Sequence, residues 1–505
     1  MTMRKHPGVW AAVLLLAASL AKADTDAAAF DAILDDALHT WRTPGVAAVV
    51  VRDDEVIYLK GAGIREQSKN DPVTPDTRFA IGSLTKAFTA TAVAQLIDDG
   101  QMDWDDPVRK HLPSFRLADP LADRDVTLRD LLCHRTGLAA NDLLWRYAPW
   151  SLEESVRRMA YLGPSHSFRA AYEYNNLGYI AAGLAVGSAS KGSWRDDLQK
   201  RLLDPLGMTG AVFTRSEVLK SADHASPHRR NAEDKIDVIS WYNDDDQVRG
   251  SGSLKMGVRD LSRWIRFHLA GGVLDGKRLV SASALAETHT PQIVMPLDHD
   301  LAAMTETTQM SYGLGWRISD YRGRPLWDHG GAVDGFRAHI LLAPKDKIGV
   351  AVLVNLEDAQ IVDAVGYSLL DAALGLPKKD WNGFFAKRLK EAAEQRKAKA
   401  AKREASRKPG TKPSHDLDAY RGTYEDPAYG AVQVRLDGGS LRLHWSSFDK
   451  PLRHFHYDTF QVDEADVPGA SPLAGELATF SLDIEGQADM VRFLGRKFKR
   501  TRTLP

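Results

Sequence analysis

Between residues 87 and 97 nearly every position is Ala, Val, Leu, Ile, Phe or Thr, with no polar face at helical spacing. A run that is apolar all round predicts a helix inside a core rather than on a surface. Gly100 marks its end, and Ser83 and Lys86, three residues apart, fall on one face of its first turn. Upstream, Phe30, Ile33, Leu34, Ala37, Leu38 and Trp41 recur with helical spacing as far as Pro44-Gly45. Two strand-like runs follow, 46–51 and 56–59, joined by Arg52-Asp53-Asp54-Glu55 as in a hairpin. Helices and loops dominate from 126 to about 203. Thr127 caps one short helix, and Ser151 with Glu154 opens another. The stretch 258–269 is amphipathic. From about Tyr312 the pattern turns to strands at 312–318, 336–342 and 348–354, then to a helix over 359–374 closed by Gly375 and Pro377. Strands at both ends with helices between predict an α+β fold whose one sheet is built from both termini.

Beyond Asp416 the texture changes. Short β-like runs (432–436, 441–445, 459–462, 478–484, 490–493) alternate with Gly, Asp and Pro turns, which predicts a small antiparallel barrel or sandwich. Ahead of it, 387–412 holds eleven Lys or Arg against three Glu and ends in Pro409-Gly410 and Pro413. That composition reads as a solvated, partly helical linker, with weak contact to an anionic envelope as the sharper alternative. At the other end, Arg4 and Lys5 precede an apolar run from 9 to 20 and the small-x-small triplet Ala21-Lys22-Ala23. This is a secretory signal pattern, too short for a comfortable membrane span, and it predicts an exported protein, periplasmic or secreted. An uncleaved anchor is the other reading. The expected divisions are a signal peptide 1–23, a main domain 24–377, a basic linker 378–415 and a C-terminal β domain 416–505.

The length, 505 residues, calls for more than one core. A net charge of −1 argues against a nucleic-acid surface. One cysteine, Cys133, excludes an intrachain disulfide and any multi-cysteine metal site, and reads as a small buried apolar side chain.

Chemistry enters through Ser83 and Lys86. Burial and the positive end of a helix both push a lysine pKa down, and an amine that is often neutral can take the proton of a neighbouring serine hydroxyl. Spacing alone does not select this pair, because Ser19/Lys22, Ser188/Lys191 and Ser447/Lys450 repeat it. Only Ser83/Lys86 opens a buried helix. Two further clusters could complete a site. In Tyr172-Glu173-Tyr174-Asn175-Asn176-Leu177-Gly178-Tyr179, aromatics and amides crowd a loop, the plain alternative being packing with Asn176 as helix N-cap. In Trp327-Asp328-His329-Gly330-Gly331-Ala332, paired glycines after a strand admit a ligand or another backbone, unless they form a simple hairpin turn.

Taken together, Ser83-Leu84-Thr85-Lys86, Tyr174-Asn175-Asn176 and His329-Gly330-Gly331 resemble, in order and separation, the three motifs of serine β-lactamases and penicillin-binding proteins. The pattern is nearest to class C β-lactamases and D-Ala-D-Ala carboxypeptidases, with their esterase and D-aminopeptidase relatives, and covers about 27–376. The segment after Asp416 is similar to the lipocalin-like barrel that some members append. The resemblance implies an antiparallel sheet flanked by helices plus a helical subdomain. It makes Ser83 the acylated nucleophile, Lys86 its proton acceptor and Tyr174 a second acid/base whose phenol the Lys86 cation lowers; which of the two takes the serine proton stays open. Asn176 would bond the substrate amide or Lys86. The N–H groups of Ser83 and Ala332 would form the oxyanion hole, with His329 and Gly331 lining the substrate site. No cofactor or metal is implied, and the partner is a small-molecule or peptide substrate.

One departure narrows the reading. Relatives acting on β-lactams and D-Ala-D-Ala ends usually carry Lys-Thr-Gly where this chain has His329-Gly330-Gly331, so recognition of a carboxylate there is weakened. Peptidase or esterase chemistry on an amide or ester is expected ahead of efficient β-lactam turnover. Gly-x-Ser-x-Gly and His-Glu-x-x-His are both absent, and His454-x-His456 reads as strand packing. A binding protein that kept the fold without catalysis is the alternative of another class.

Overall fold

The computed structural model describes residues 27–231, 233–463 and 473–502. The proposed signal segment, 1–23, lies outside them. The main body is built on one antiparallel sheet. Its elements are helix α1 (27–41), strands β1 (Gly45–Arg52) and β2 (Glu55–Gly63), helices α2 (Thr85–Asp98), α3 (Asn176–Ala189) and α4 (Val258–Leu269), strands β3 (Ile293–Val294), β4 (Met310–Tyr312), β5 (Arg317–Tyr321), β6 (Arg324–Val333), β7 (Phe336–Ala343) and β8 (Ile348–Val354), and helix α5 (Ala359–Leu374). The strand order is β2-β1-β8-β7-β6-β5-β4-β3, so both ends of the domain meet at its centre, where Val46 pairs with Val354 and Arg52 with Ile348.

The central strands are apolar because both of their faces are covered. Val46, Ala48 and Val50 of β1 join a core with Phe30, Leu34 and Trp41 of α1 and Ile361, Val365 and Leu369 of α5. Ala47, Val49 and Val51 point the other way, into a core with Phe88 and Val93 of α2 and Leu261, Trp264 and Ile265 of α4. The helix foreseen around 87–97 is α2, buried over nearly its whole length, with Gly100 just beyond it at φ +69°. The loops and short helices between α2 and α3 form the helical part of the body.

After α5 the basic stretch is mostly helix α6 (Trp381–Ala405). Its first turns belong to the body: Trp381 and Phe385 are buried, and Trp381 Nε1 donates to Asp371 at 2.9 Å. The C-terminal part is a closed eight-stranded antiparallel barrel running from Gly422–Asp426 to Arg496–Arg502. A single apolar cluster runs from Leu131, Leu144, Met159 and Ile180 in the helical region into Tyr420, Tyr424, Val432 and Trp445 of the barrel.

Three local expectations are corrected. The strand foreseen at 312–318 is broken into β4 and β5 by a turn through Gly315 at φ +86°. Gly330 and Gly331 lie within β6 and not in a turn after a strand. The N-cap of α3 is Asn175, whose side chain accepts from the Gly178 N–H; Asn176 is the first helical residue.

Candidate active site

Ser83 occupies a tight turn, Gly82–Leu84, that runs directly into α2. Gly82 has φ +52°, and a Cβ there would sit 2.6 Å from the backbone nitrogen of Ala332. A Cβ on Gly331 would sit 2.0 Å from the Ile81 carbonyl oxygen. Glycine at both positions therefore lets β6 press its backbone against the turn that carries Ser83. Ser83 and Ala332 consequently border the same space.

Lys86, one turn further, is fully buried. Its Nζ lies 3.1 Å from Ser83 Oγ and donates to Asn176 Oδ1 at 2.7 Å and to the Ser251 carbonyl at 2.8 Å. Burial pushes its pKa down to about 7; Asp142 opposes the shift and the Arg249 cation adds to it. A substantial fraction of the amine is therefore neutral near pH 7, when Ser83 Oγ donates to it. From the other side Tyr174 donates its hydroxyl to Ser83 Oγ at 2.8 Å.

The expected lowering of the Tyr174 phenol is overturned. Burial raises its pKa well above the ordinary value and outweighs its bond to Ser83. Lys86 Nζ sits 4.8 Å from the centre of the ring, where a cation interacts with the π face and not with the hydroxyl. Tyr174 is thus held as an acid. His134 fixes its loop: at φ +63°, with its Nδ1 accepting the Asn175 N–H at 3.1 Å, it packs 4.4 Å from the Tyr174 ring. Desolvation keeps His134 neutral.

Asn176 resolves to one of its two expected roles. Its oxygen accepts a hydrogen bond from Lys86 Nζ and its nitrogen donates to Asp142 at 2.9 Å, so both ends of the amide are engaged within the protein. His329 lies apart. Burial lowers it to about 3, its Nδ1 donates to the Gly330 carbonyl, and its Nε2 accepts from the Tyr312 hydroxyl at 2.9 Å. It offers a substrate no charge.

Ser83 lies between two cavities. One, of about 320 Å³, is walled by Asn176, Asp142, Trp145, Arg146, Tyr242 and Arg249. The other, of about 360 Å³, is walled by Tyr172, His329, Arg317 and Met295. Tyr174 and Ala332 border both. The sequence pattern supplied the residues around the hydroxyl but not this outer wall. Asp142, Arg146 and Arg249 come from stretches with no local signature, and only the packing of distant loops brings them together.

Comparison with known proteins bears on the family and the fold. A family model described as Beta-lactamase matches residues 30–374, and a second, a domain of unknown function (DUF3471), matches 406–501. The unguisins hydrolase ungD of Aspergillus violaceofuscus is 27% identical over 448 residues, spanning 82% of this chain and 77% of its own length. Penicillin-binding protein 4 of Amycolatopsis lactamdurans is 30% identical over 323 residues, 63% of this chain and 83% of that protein. Among solved structures, the octameric penicillin-binding protein homologue from Pyrococcus abyssi superposes with a TM-score of 0.61 at 23% identity, covering 93% of this chain and 99% of that one.

Proposed function

The chain belongs to the β-lactamase family, and on that premise we propose that it is a serine hydrolase that forms an acyl-enzyme on Ser83 and cleaves amide or ester bonds. The reading rests above all on one observation: Ser83 Oγ is gripped between an amine with a pKa of about 7 and a phenol kept protonated by burial. Ser83 Oγ attacks the substrate carbonyl while Lys86 takes its proton. The backbone N–H groups of Ser83 and Ala332 face the oxygen that gains charge. Tyr174 passes its proton to the leaving group, which leaves a phenolate to draw a proton from the deacylating water while the Lys86 ammonium holds the proton that Ser83 Oγ takes back. Water then reverses the sequence and frees the acid.

The substrates are D-amino-acid peptides, peptidoglycan-type peptides or small esters. Efficient β-lactam or carboxypeptidase turnover ranks lower, because neutral His329 stands where a carboxylate would need a cation. The signal-like pattern of residues 4–23 supports export to the periplasm or beyond.

The test is covalent labelling. A fluorophosphonate should add to the wild-type chain at Ser83, read by intact mass and peptide mapping, and not to Ser83→Ala, whose circular dichroism should be unchanged. A panel of short esters, D-amino-acid amides and a chromogenic cephalosporin should show turnover on the first two ahead of the third. Absence of any adduct on Ser83 would favour a non-catalytic binding protein.

A further inference from the structure

Arg249 is a buried cation that the reaction above does not use. It opens the turn that ends at Ser253: its N–H donates to Ser253 Oγ at 2.9 Å, and its carbonyl accepts from the N–H groups of Gly252 and Ser253. Within that turn, the Ser251 carbonyl holds Lys86. Arg249 is therefore positioned by the same few residues that position the amine beside Ser83, and its side chain borders the same 320 Å³ cavity.

The side chain is only 4% exposed. Its guanidinium lies over Trp145 and Tyr242, 4.8 and 5.1 Å from the ring centres. Among the described residues its one side-chain hydrogen bond is from Nη1 to Gln247 Oε1, at a long 3.4 Å, while Nε has no partner and no carboxylate pairs with it. The other charges of the wall are all engaged. Arg146 pairs with Asp334, and Glu357 with Arg229. Asp142 accepts from Asn176 and Trp145, and Arg337 donates to the carbonyls of Val333 and Phe336. A desolvated cation without a counter-charge is costly, and aromatic faces offset only part of that cost. A planar donor fork in such a place matches the two oxygens of a carboxylate better than any neutral group.

We propose that Arg249 anchors a carboxylate of the substrate, so that the preferred esters or amides are anionic and place that group in the cavity beside Ser83. The proposal rests on the hydrolase reading for its chemistry but can fail separately from it.

Two matched ester pairs test it. In p-nitrophenyl hydrogen glutarate against p-nitrophenyl methyl glutarate the carboxylate is on the acyl part. In 4-carboxyphenyl butyrate against its methyl ester it is on the leaving group. In one pair the wild-type kcat/KM should favour the acid, and Arg249→Gln should cut that preference by about ten- to a hundredfold, with Arg249→Lys between. A preference near one in both pairs, or one that Arg249→Gln leaves in place, overturns the proposal. A binding measurement removes the dependence on turnover and on folding of the variant: glutarate should bind Ser83→Ala by calorimetry, and about tenfold more weakly once Arg249→Gln is added to a chain with unchanged near-UV circular dichroism. No glutarate binding to Ser83→Ala would also overturn it. Arg249-dependent glutarate binding without turnover of any ester would keep the anchor and sink the hydrolase reading.

Discussion

In the proposed reaction Lys86 decides the pH behaviour. Attack requires its neutral amine, and its pKa is about 7, so kcat/KM on an uncharged ester should rise about tenfold per unit below pH 7 and level off above it. Tyr174, raised by burial, adds no fall through pH 9. Lys86→Ala and Tyr174→Phe should each lose about 10²–10⁴ in turnover, and full activity of Tyr174→Phe on a p-nitrophenyl ester would refute its role as the acid. Because the Arg249 cation helps to depress Lys86, Arg249→Gln should move the rising limb to higher pH. Stability carries the same signature. The lysine falls from 10.5 in the open chain to about 7 when folded, so between those values the unfolded state holds the extra proton and stability rises with pH. Urea midpoints at pH 7 and 9 should show that rise in the wild type and less of it in Lys86→Met. These residues were legible because Ser83 and Lys86 open an all-apolar helix, and because Tyr174 sits in a dense aromatic and amide cluster. Arg249 was not. A single arginine before a glycine-rich turn carries no mark of burial, which only the approach of Trp145 and Tyr242 confers.

β6 carries Ala332, one donor of the proposed oxyanion site, and its glycines explain why it was misread. In sequence, Gly330-Gly331 looks like a turn, since glycine weakens a strand and is common where the chain reverses. In the fold Gly331 stays extended within β6 because the Ile81 carbonyl occupies the space of its missing side chain. A Cβ at 2.0 Å cannot be absorbed by a flexible neighbour, so Gly331→Ala must push β6 off the 81–83 turn. We expect a loss of about 10²–10³ in kcat, the size of losing one oxyanion donor, in a chain that still folds but melts earlier. Paired kcat and thermal-unfolding measurements check this, and an unchanged kcat would remove Ala332 from the oxyanion site. By contrast, β1, β7 and β8 were legible almost to the residue. β1 and β8 are apolar on both faces because helices cover both sides of the sheet, while β7 combines Arg337 and His339 with the apolar run 340–343.

The barrel was only partly visible for a related reason. The strands Gly422–Asp426, Phe448–His456 and Arg496–Arg502 carry charges or a proline, and they read as loops until closure gives their backbone groups partners. Closure also brings one end of the barrel against the helical region. Tyr429 donates to Asn141 at 3.2 Å, Ser446 to the Tyr147 carbonyl, Arg158 to the Ala428 carbonyl at 3.0 Å, and Arg496 to the Tyr161 carbonyl at 3.0 Å. Phe448 packs edge-on to Tyr147 with ring centres 5.4 Å apart. Tyr147 in turn donates to Asp334 at 2.9 Å, and Asp334 pairs with Arg146, so the barrel buttresses the segment whose Asp142, Trp145 and Arg146 wall the cavity beside Ser83. The buttress touches none of the groups that carry out bond making. Its loss should therefore alter which substrates fit while leaving acylation intact. Phe448→Ala removes one aromatic contact, worth about 0.5–1.5 kcal/mol, which corresponds to a KM about two- to tenfold higher for substrates large enough to reach Trp145 and Arg146. An acetyl ester, confined to the neighbourhood of Ser83, should keep its kcat and KM. Steady-state kinetics on one short and one bulky ester decide the matter, because equal losses on both would mean that the barrel supports the whole fold and not the cavity wall.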